Sequence, residues 1–245
     1  MRLVTWNCAG HFKSKWPAFA ELGADLAVIQ ECETEILATA SERGWTAIRR
    51  GAGLKGLALL AAPEWSLKEI PAESDWSIAA KVSGASSFTL VGFWALPPSQ
   101  AGCSYTAQAE ATAQYVGTLT GPVVLAGDFN ATTKPKHLAT MQQLHHLGLV
   151  SSYHQVHSVD RGQEADSTYF HQWKLDRGFH IDLMLIPEGW SLTRLELGSF
   201  ETYVAGRISD HVPVTATVTA PAPTPSATTT TALFAKGFPK IVAAS

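Results

Sequence analysis

Short apolar runs recur along the first 218 residues, and most of them end in Gly, Pro or a polar residue. Their length and content predict strands at Leu3–Trp6, Leu26–Gln30, Leu57–Leu60, Phe88–Phe93, Val123–Ala126, Ile181–Ile186 and Val212–Val218. Between them, helical spacing predicts helices at Pro17–Leu22, Thr34–Ser41, Thr106–Leu119 and Lys136–Leu147. The pattern is clearest in the third, where Ala109, Ala113 and Val116 share a face. From Ser191 to Tyr203 neither period wins. Strands alternating with helices early, then strand-rich stretches, predict a mixed α/β arrangement with helices outside. No repeat and no internal boundary shows in residues 1–218.

The composition changes at position 219. Thr219 to Ala232 are drawn entirely from Ala, Pro, Ser and Thr, so 219–245 is expected to be a disordered tail behind a single domain of residues 1–218. Leu233, Phe234, Phe238, Ile241 and Val242 leave a short docking segment as the alternative, with Gly237-Phe238-Pro239 interrupting any helix.

The chain of 245 residues is 46% hydrophobic, which excludes wholesale disorder. No apolar run approaches the ~18–20 residues of a membrane span. The start, Met1-Arg2-Leu3-Val4-Thr5-Trp6, reads as a strand and lacks the pattern of a secretory signal. Cys8, Cys32 and Cys103 are an odd, sparse set, unlike a disulfide framework. A cytoplasmic protein with no membrane partner is expected. Lys236 and Lys240 lie in the tail, so residues 1–218 hold 16 of the 18 basic residues and all 21 acidic ones. The bulk basic footprint of a nucleic-acid binder is therefore absent, although acidic metal ligands shift the balance the same way.

The chemistry gathers where the strands stop. Leu3–Trp6 ends in Asn7, Leu26–Gln30 in Glu31, and Val123–Gly127 in Asp128-Phe129-Asn130. Asp182 opens the run Leu183–Ile186, and Asp210-His211 precedes Val212-Pro213-Val214. If the first three strands run antiparallel to the last two, all five clusters meet at one rim. An extended backbone would then aim Asp128 and Asn130 the same way. Taken singly, each has a plain structural reading: a turn at Gly127–Asn130, a cap at Asn7, a helix-terminal charge at Glu31, a loop residue at Asp210. Together they make an oxygen-rich set suited to Mg²⁺ or Mn²⁺ better than Zn²⁺, and to attack of water on phosphorus. His145, His146, His154 and His157 lack the spacing of a zinc site. Cys8 and Cys32, each just beyond a rim residue, read as a buried reduced pair.

Five stretches carry a family resemblance: Thr5-Trp6-Asn7, Ile29-Gln30-Glu31, Gly127-Asp128-Phe129-Asn130, His180-Ile181-Asp182 and Ser209-Asp210-His211-Val212-Pro213. In that order they resemble the endonuclease/exonuclease/phosphatase superfamily. The resemblance implies a four-layer α/β sandwich, two packed mixed β-sheets flanked by helices, with the active site at one edge. It implies that Glu31 holds a Mg²⁺ or Mn²⁺ ion with Asn7 beside it, and that Asp210 is a further metal or proton-handling group. Asp128 is then the residue that orients or deprotonates water. Asn130 helps hold the phosphate, His211 sits at the scissile phosphate, and Asp182 orients His211. At Ala95-Leu96-Pro97 the chain departs from the family, many members of which carry a tyrosine or histidine there. Trp94 and Lys55 are the candidates to serve in its place. His180 stands where nuclease branches often have arginine, and either touches substrate or caps its strand.

Thr168-Tyr169-Phe170-His171-Gln172-Trp173 with Gly178-Phe179 resembles the aromatic loop of abasic-site endonucleases, making Tyr169 and Phe170 candidates to stack on a base; packing at the sheet edge is the alternative. The expectation is a metal-dependent phosphodiester hydrolase with nucleic acid as substrate. A small-molecule phosphatase or phosphodiesterase is the alternative, and a non-catalytic binding module on the same fold the second. Nothing in the sequence identifies a protein partner.

Overall fold

In the computed structural model, which describes residues 1–51, 53–71, 74–130 and 134–221, the central strands sort their side chains with period two and bury both faces. The tail beyond residue 221 lies outside the described residues. In chain order the strands are β1 (Arg2–Asn7), β2 (Leu26–Cys32), β3 (Thr46–Arg50), β4 (Gly56–Ala61), β5 (Ser66–Ile70), β6 (Ser77–Ser83) and β7 (Ser87–Trp94). They continue with β8 (Val123–Asp128), β9 (Leu149–Ser151), β10 (Tyr169–Phe170), β11 (Gly178–Phe179), β12 (Asp182–Pro187), β13 (Ser191–Leu197) and β14 (Val214–Thr219). Two six-stranded mixed sheets result, ordered β13-β14-β1-β2-β4-β3 and β5-β6-β7-β8-β12-β9, with β10 and β11 forming a separate hairpin.

In β4, Leu57 and Leu59 face the other sheet, where they meet Ile78, Leu90, Val124 and Met184. Ala58 and Leu60 face outward, against Phe12, Trp16 and Phe19 of α1 (Phe12–Ala20) and Ile36 of α2 (Ile36–Ser41). On the second sheet Val91, Phe93, Leu125 and Leu183 face outward against α4 (Tyr105–Thr118) and α5 (Pro135–His146). The short helices α3 (Pro98–Ala101) and α6 (Ser152–His157) lie in the connections. The result is the expected four-layer sandwich. Each large apolar side chain sealed in it contributes roughly 1.5–3 kcal/mol.

The strand directions are those the rim requires. β1 is parallel to β2 and antiparallel to β14, and β8 is antiparallel to β12. The main differences from expectation are at elements with little apolar contrast. β3, β5 and β13 are half-exposed edge strands, so they show no continuous run. α1 starts at Phe12, five residues before the expected start, with Pro17 inside it. Its ring cluster explains this: Trp16 packs edge-on to Phe12 at 5.8 Å and to Trp45 at 5.7 Å. Its first N–H is taken by a residue from the loop after β2, the Glu33 carboxylate, which accepts from Phe12 N at 3.3 Å.

Gly127, next to Asp128, has φ +151°, and a Cβ there would lie 1.7 Å from the Phe93 carbonyl oxygen. Gly127→Ala is expected to pry β8 from β7 and cost about 3–5 kcal/mol, a fall in melting temperature of about 10 °C. A thermal melt within about 2 °C of the parent would show that the strand pair is not so tightly apposed.

Candidate functional site

The rim is built where the strand ends of both sheets meet. Asp128 and Asp182 stand directly opposite one another in the β8–β12 pair, and both are buried. Asn7, ending β1 on the other sheet, spans the gap: its Nδ2 donates to Glu31 Oε1 and to Asp128 Oδ2, each at 3.1 Å. Its Oδ1 accepts from Ala9 N at 3.0 Å, fixing which way the amide points. Ser209 Oγ donates to the Asn7 carbonyl at 2.8 Å and accepts from His211 N at 3.1 Å. Trp6 Nε1 donates to the His211 carbonyl at 3.2 Å.

Two rim residues sit in left-handed backbone. Glu31 has φ +59° at an irregularity in the β2–β4 pairing, and Asn130 has φ +45° just beyond β8. Such conformations are uncommon for non-glycine residues and gather at functional sites. The extended backbone expected from Asp128 to Asn130 is thus replaced by a tight turn. Asn130 N donates to Asp128 Oδ1 at 2.9 Å, and its Nδ2 donates to the Ala95 carbonyl at 3.0 Å.

His211 Nδ1 meets Asp182 Oδ2 at 2.8 Å, with both side chains sealed from solvent. Burial alone would lower the histidine pKa, but Asp182, aided by Asp128 and Asp210, lifts it to about 9. Burial and then Asp182 push Asp128 up to about 7, with His211 pulling the other way. Asp182 Oδ1 is buried without a hydrogen-bond partner. The potential ligand atoms of Asp128, Asp182 and His211 lie within 4.8 Å of one another. An orphaned carboxylate oxygen and an excess of buried negative charge suit a hard cation, and so does the oxygen donor set of Glu31, Asp128 and Asp210.

The outer candidates separate. Lys55 Nζ lies 2.5 Å from Glu31 Oε2, on a loop whose carbonyls at Gly51, Gly53 and Leu54 accept from the Arg49 guanidinium. Asp210 is partly exposed, and its charge acts on His211, Lys15, Lys55 and Tyr169. Tyr169 pairs with His211 in a β-bridge and lays its ring 4.6 Å from the imidazole. Three further candidates are held in packing contacts. Trp94 shares the inward face of β7 with Leu90 and is packed in the inter-sheet core. Phe170 alternates inward from Tyr169 and packs on Phe200 at 4.9 Å. His180 is held by a 3.0 Å bond between Nδ1 and the Asp166 carbonyl and by the Tyr153 ring at 4.3 Å, so it braces the entry to β12.

Several contributors escaped the sequence reading. Thr168 Oγ1 accepts from Ile181 N at 3.0 Å and Asp182 N at 2.9 Å, and so fixes the start of β12. Glu33 holds the turn after Asn7 through His11 N and Phe12 N. The pairing Glu31-Cys32-Glu33 was the available signal, but only the fold distinguishes the two carboxylates.

Two predictions follow from the charge cluster. In Asp182→Asn the His211 pKa, followed by NMR, is expected to fall below the parent value, and an unchanged titration would refute the pairing. Linkage gives the second, because both folded-state pKa values are raised. The stability tied to Asp128 is complete below its unfolded value of about 4 and is lost as pH rises through about 7. That tied to His211 is complete below about 6.5 and lost through about 9. In chelator, the melting temperature is expected to fall between about pH 4 and about pH 9, and Asp182→Asn is expected to flatten that fall.

Comparison with known proteins agrees with this geometry. The family described as Endonuclease/Exonuclease/phosphatase matches residues 4–211. No curated protein sequence matches. Among solved structures, the 3′ phosphatase NExo from Neisseria bound to product DNA hairpin is 21% identical, with a TM-score of 0.69 over 90% of this chain and 100% of that one. An AP endonuclease from Archaeoglobus fulgidus is 18% identical, with a TM-score of 0.70 over 90% and 100%. D. rerio TDP2 complexed with single strand DNA product is 15% identical, with a TM-score of 0.70 over 90% and 99%. The chain belongs to the endonuclease/exonuclease/phosphatase family of phosphate-ester hydrolases.

Proposed function

We propose that the chain is a Mg²⁺- or Mn²⁺-dependent phosphodiester hydrolase acting on nucleic acid. The observation that carries the proposal is the buried Asp128–Asp182–His211 cluster, joined through Asn7 to Glu31 on the opposite sheet. Glu31 and Asp210 are the residues that would hold the ion, with the Asn7 amide donating to Glu31 beside it. A bound dication supplies positive charge to the phosphate oxygens as the transition state gathers charge there. Asp128, buried and tuned to about 7, accepts the proton of the attacking water as the bond from phosphorus to the leaving group breaks. His211, kept cationic by Asp182, donates to a nonbridging oxygen, and Asn130 helps hold the same phosphate. Three unpaired cysteines support a reducing compartment such as the cytoplasm. No helix among the described residues is long and apolar enough to cross a membrane.

Nucleic acid is favoured by the aromatic hairpin beside His211. Tyr169 and Phe179 are stacked at 25° with ring centroids 6.3 Å apart, and Phe179 is about half exposed. A base stacked on such a ring gains about 1–3 kcal/mol. DNA in the structures of NExo and TDP2 points the same way. The acidic balance of residues 1–218 favours the second reading, a small phosphate ester as substrate.

The test is a panel with Mg²⁺ on the parent and on Glu31→Ala, spanning an abasic duplex, single-stranded DNA, RNA, bis-p-nitrophenyl phosphate and sugar and inositol phosphates. Diester cleavage that falls by about 10²-fold or more in Glu31→Ala supports the proposal. Activity confined to monoesters transfers the site to the second reading. DNA binding that weakens steeply with salt supports phosphate contacts. The pH profile of kcat/KM should rise as Asp128 ionises, through about 7 or below once Mg²⁺ is bound, and fall as His211 loses its proton near 9. Mutating His211 to Ala should remove the alkaline limb together with most of the turnover.

A further inference from the structure

Tyr105 is the first residue of α4, and its phenol hydroxyl has no hydrogen-bond partner among the described residues. The ring is half-buried on the outer core of the second sheet, beside a cluster that includes Phe93, Ala95 and Phe129. Its body is therefore fixed while its polar end stays open.

The helix start is also fixed to the rim. Ser104 caps α4, accepting from Ala107 N at 3.2 Å. Gln108 then clamps the helix to the segment leaving β7: its Nε2 donates to the Leu96 carbonyl and its Oε1 accepts from Leu96 N, both at 2.8 Å. Immediately before that clamp, Ala95 N donates to the Asp128 carbonyl at 2.9 Å, and the Ala95 carbonyl accepts from Asn130. Hydrogen bonds at the successive residues Ala95 and Leu96 thus tie α4 to Asp128 at the end of β8 and to Asn130 just beyond it. Electrostatics agrees: burial and then Asp128 raise the Tyr105 pKa, and Tyr105 is among the groups that raise that of Tyr169. The phenol is a neutral donor at neutral pH.

We propose that Tyr105 is a substrate-contacting residue, whose hydroxyl donates a hydrogen bond to a nonbridging oxygen of the phosphate held by Asn130 and His211. The assignment rests on the reading of the site as a phosphodiester hydrolase. It gives that site a donor from a helix. Gln108 is the positioning residue that ties this helix to the segment bonded to Asp128 and Asn130.

Tyr105→Phe keeps the ring and removes only the donor, so the fold should be untouched. With Mg²⁺ and bis-p-nitrophenyl phosphate, kcat is expected to fall by about 10²-fold with a smaller change in KM, at an unchanged melting temperature. Calorimetry with inorganic phosphate and Mg²⁺ should show about tenfold weaker binding to Tyr105→Phe than to the parent. Turnover and phosphate affinity both within twofold of the parent would overturn the assignment while leaving the hydrolase reading intact. A parent that hydrolyses no phosphate ester but folds normally would instead overturn the hydrolase reading, and Tyr105's role with it.

Discussion

Two carboxylates facing each other across a buried strand pair repel, and the rest of this site is arranged around that repulsion. Asp128 and Asp182 are opposed in register on β8 and β12, where solvent gives no screening. His211 returns one positive charge and is lifted above its ordinary pKa by doing so. One imidazolium against two carboxylates leaves the cluster short of positive charge. A dication or the donors around a phosphate therefore bind into a field that already exists, which is the sense in which the pocket is preorganised.

The sandwich makes this possible because it brings the strand ends of two sheets to one edge. Each charged group is anchored by backbone that belongs to a different element. Thr168 fixes the entry to β12, Ser209 ties the approach to His211 to the end of β1, and Asn7 bridges the sheets. Such distributed bonding leaves the charges little room to move apart. Strain is admitted at the two places where a regular strand would aim the side chain elsewhere, Glu31 and Asn130.

The rim was legible in the sequence because polar residues interrupt apolar runs at strand ends, and the alternation of α and β elements was enough to suggest how those ends meet. Asn7, Glu31, Asp128, Asp182 and His211 could be picked out that way. For Trp94 and Phe170 the sequence left the face open for a local reason: each alternates onto an inward face, and period two assigns a face only after the strand's register is known. The start of α1 was missed because Glu33, which accepts from its first N–H, comes from the distant loop after β2. Tyr105 was invisible because a helix-initial aromatic carries no motif. The Gln108 clamp that ties its helix to Leu96 is seen only in the fold.

The central claim is that the buried pair carries more negative charge than His211 can balance. Side-chain carboxyl NMR of Asp128, followed against pH with and without Mg²⁺, tests it most directly. The account predicts a titration near 7 in chelator that moves to lower pH when Mg²⁺ is added. An Asp128 that titrates near the ordinary value of about 4 and does not respond to Mg²⁺ would contradict it.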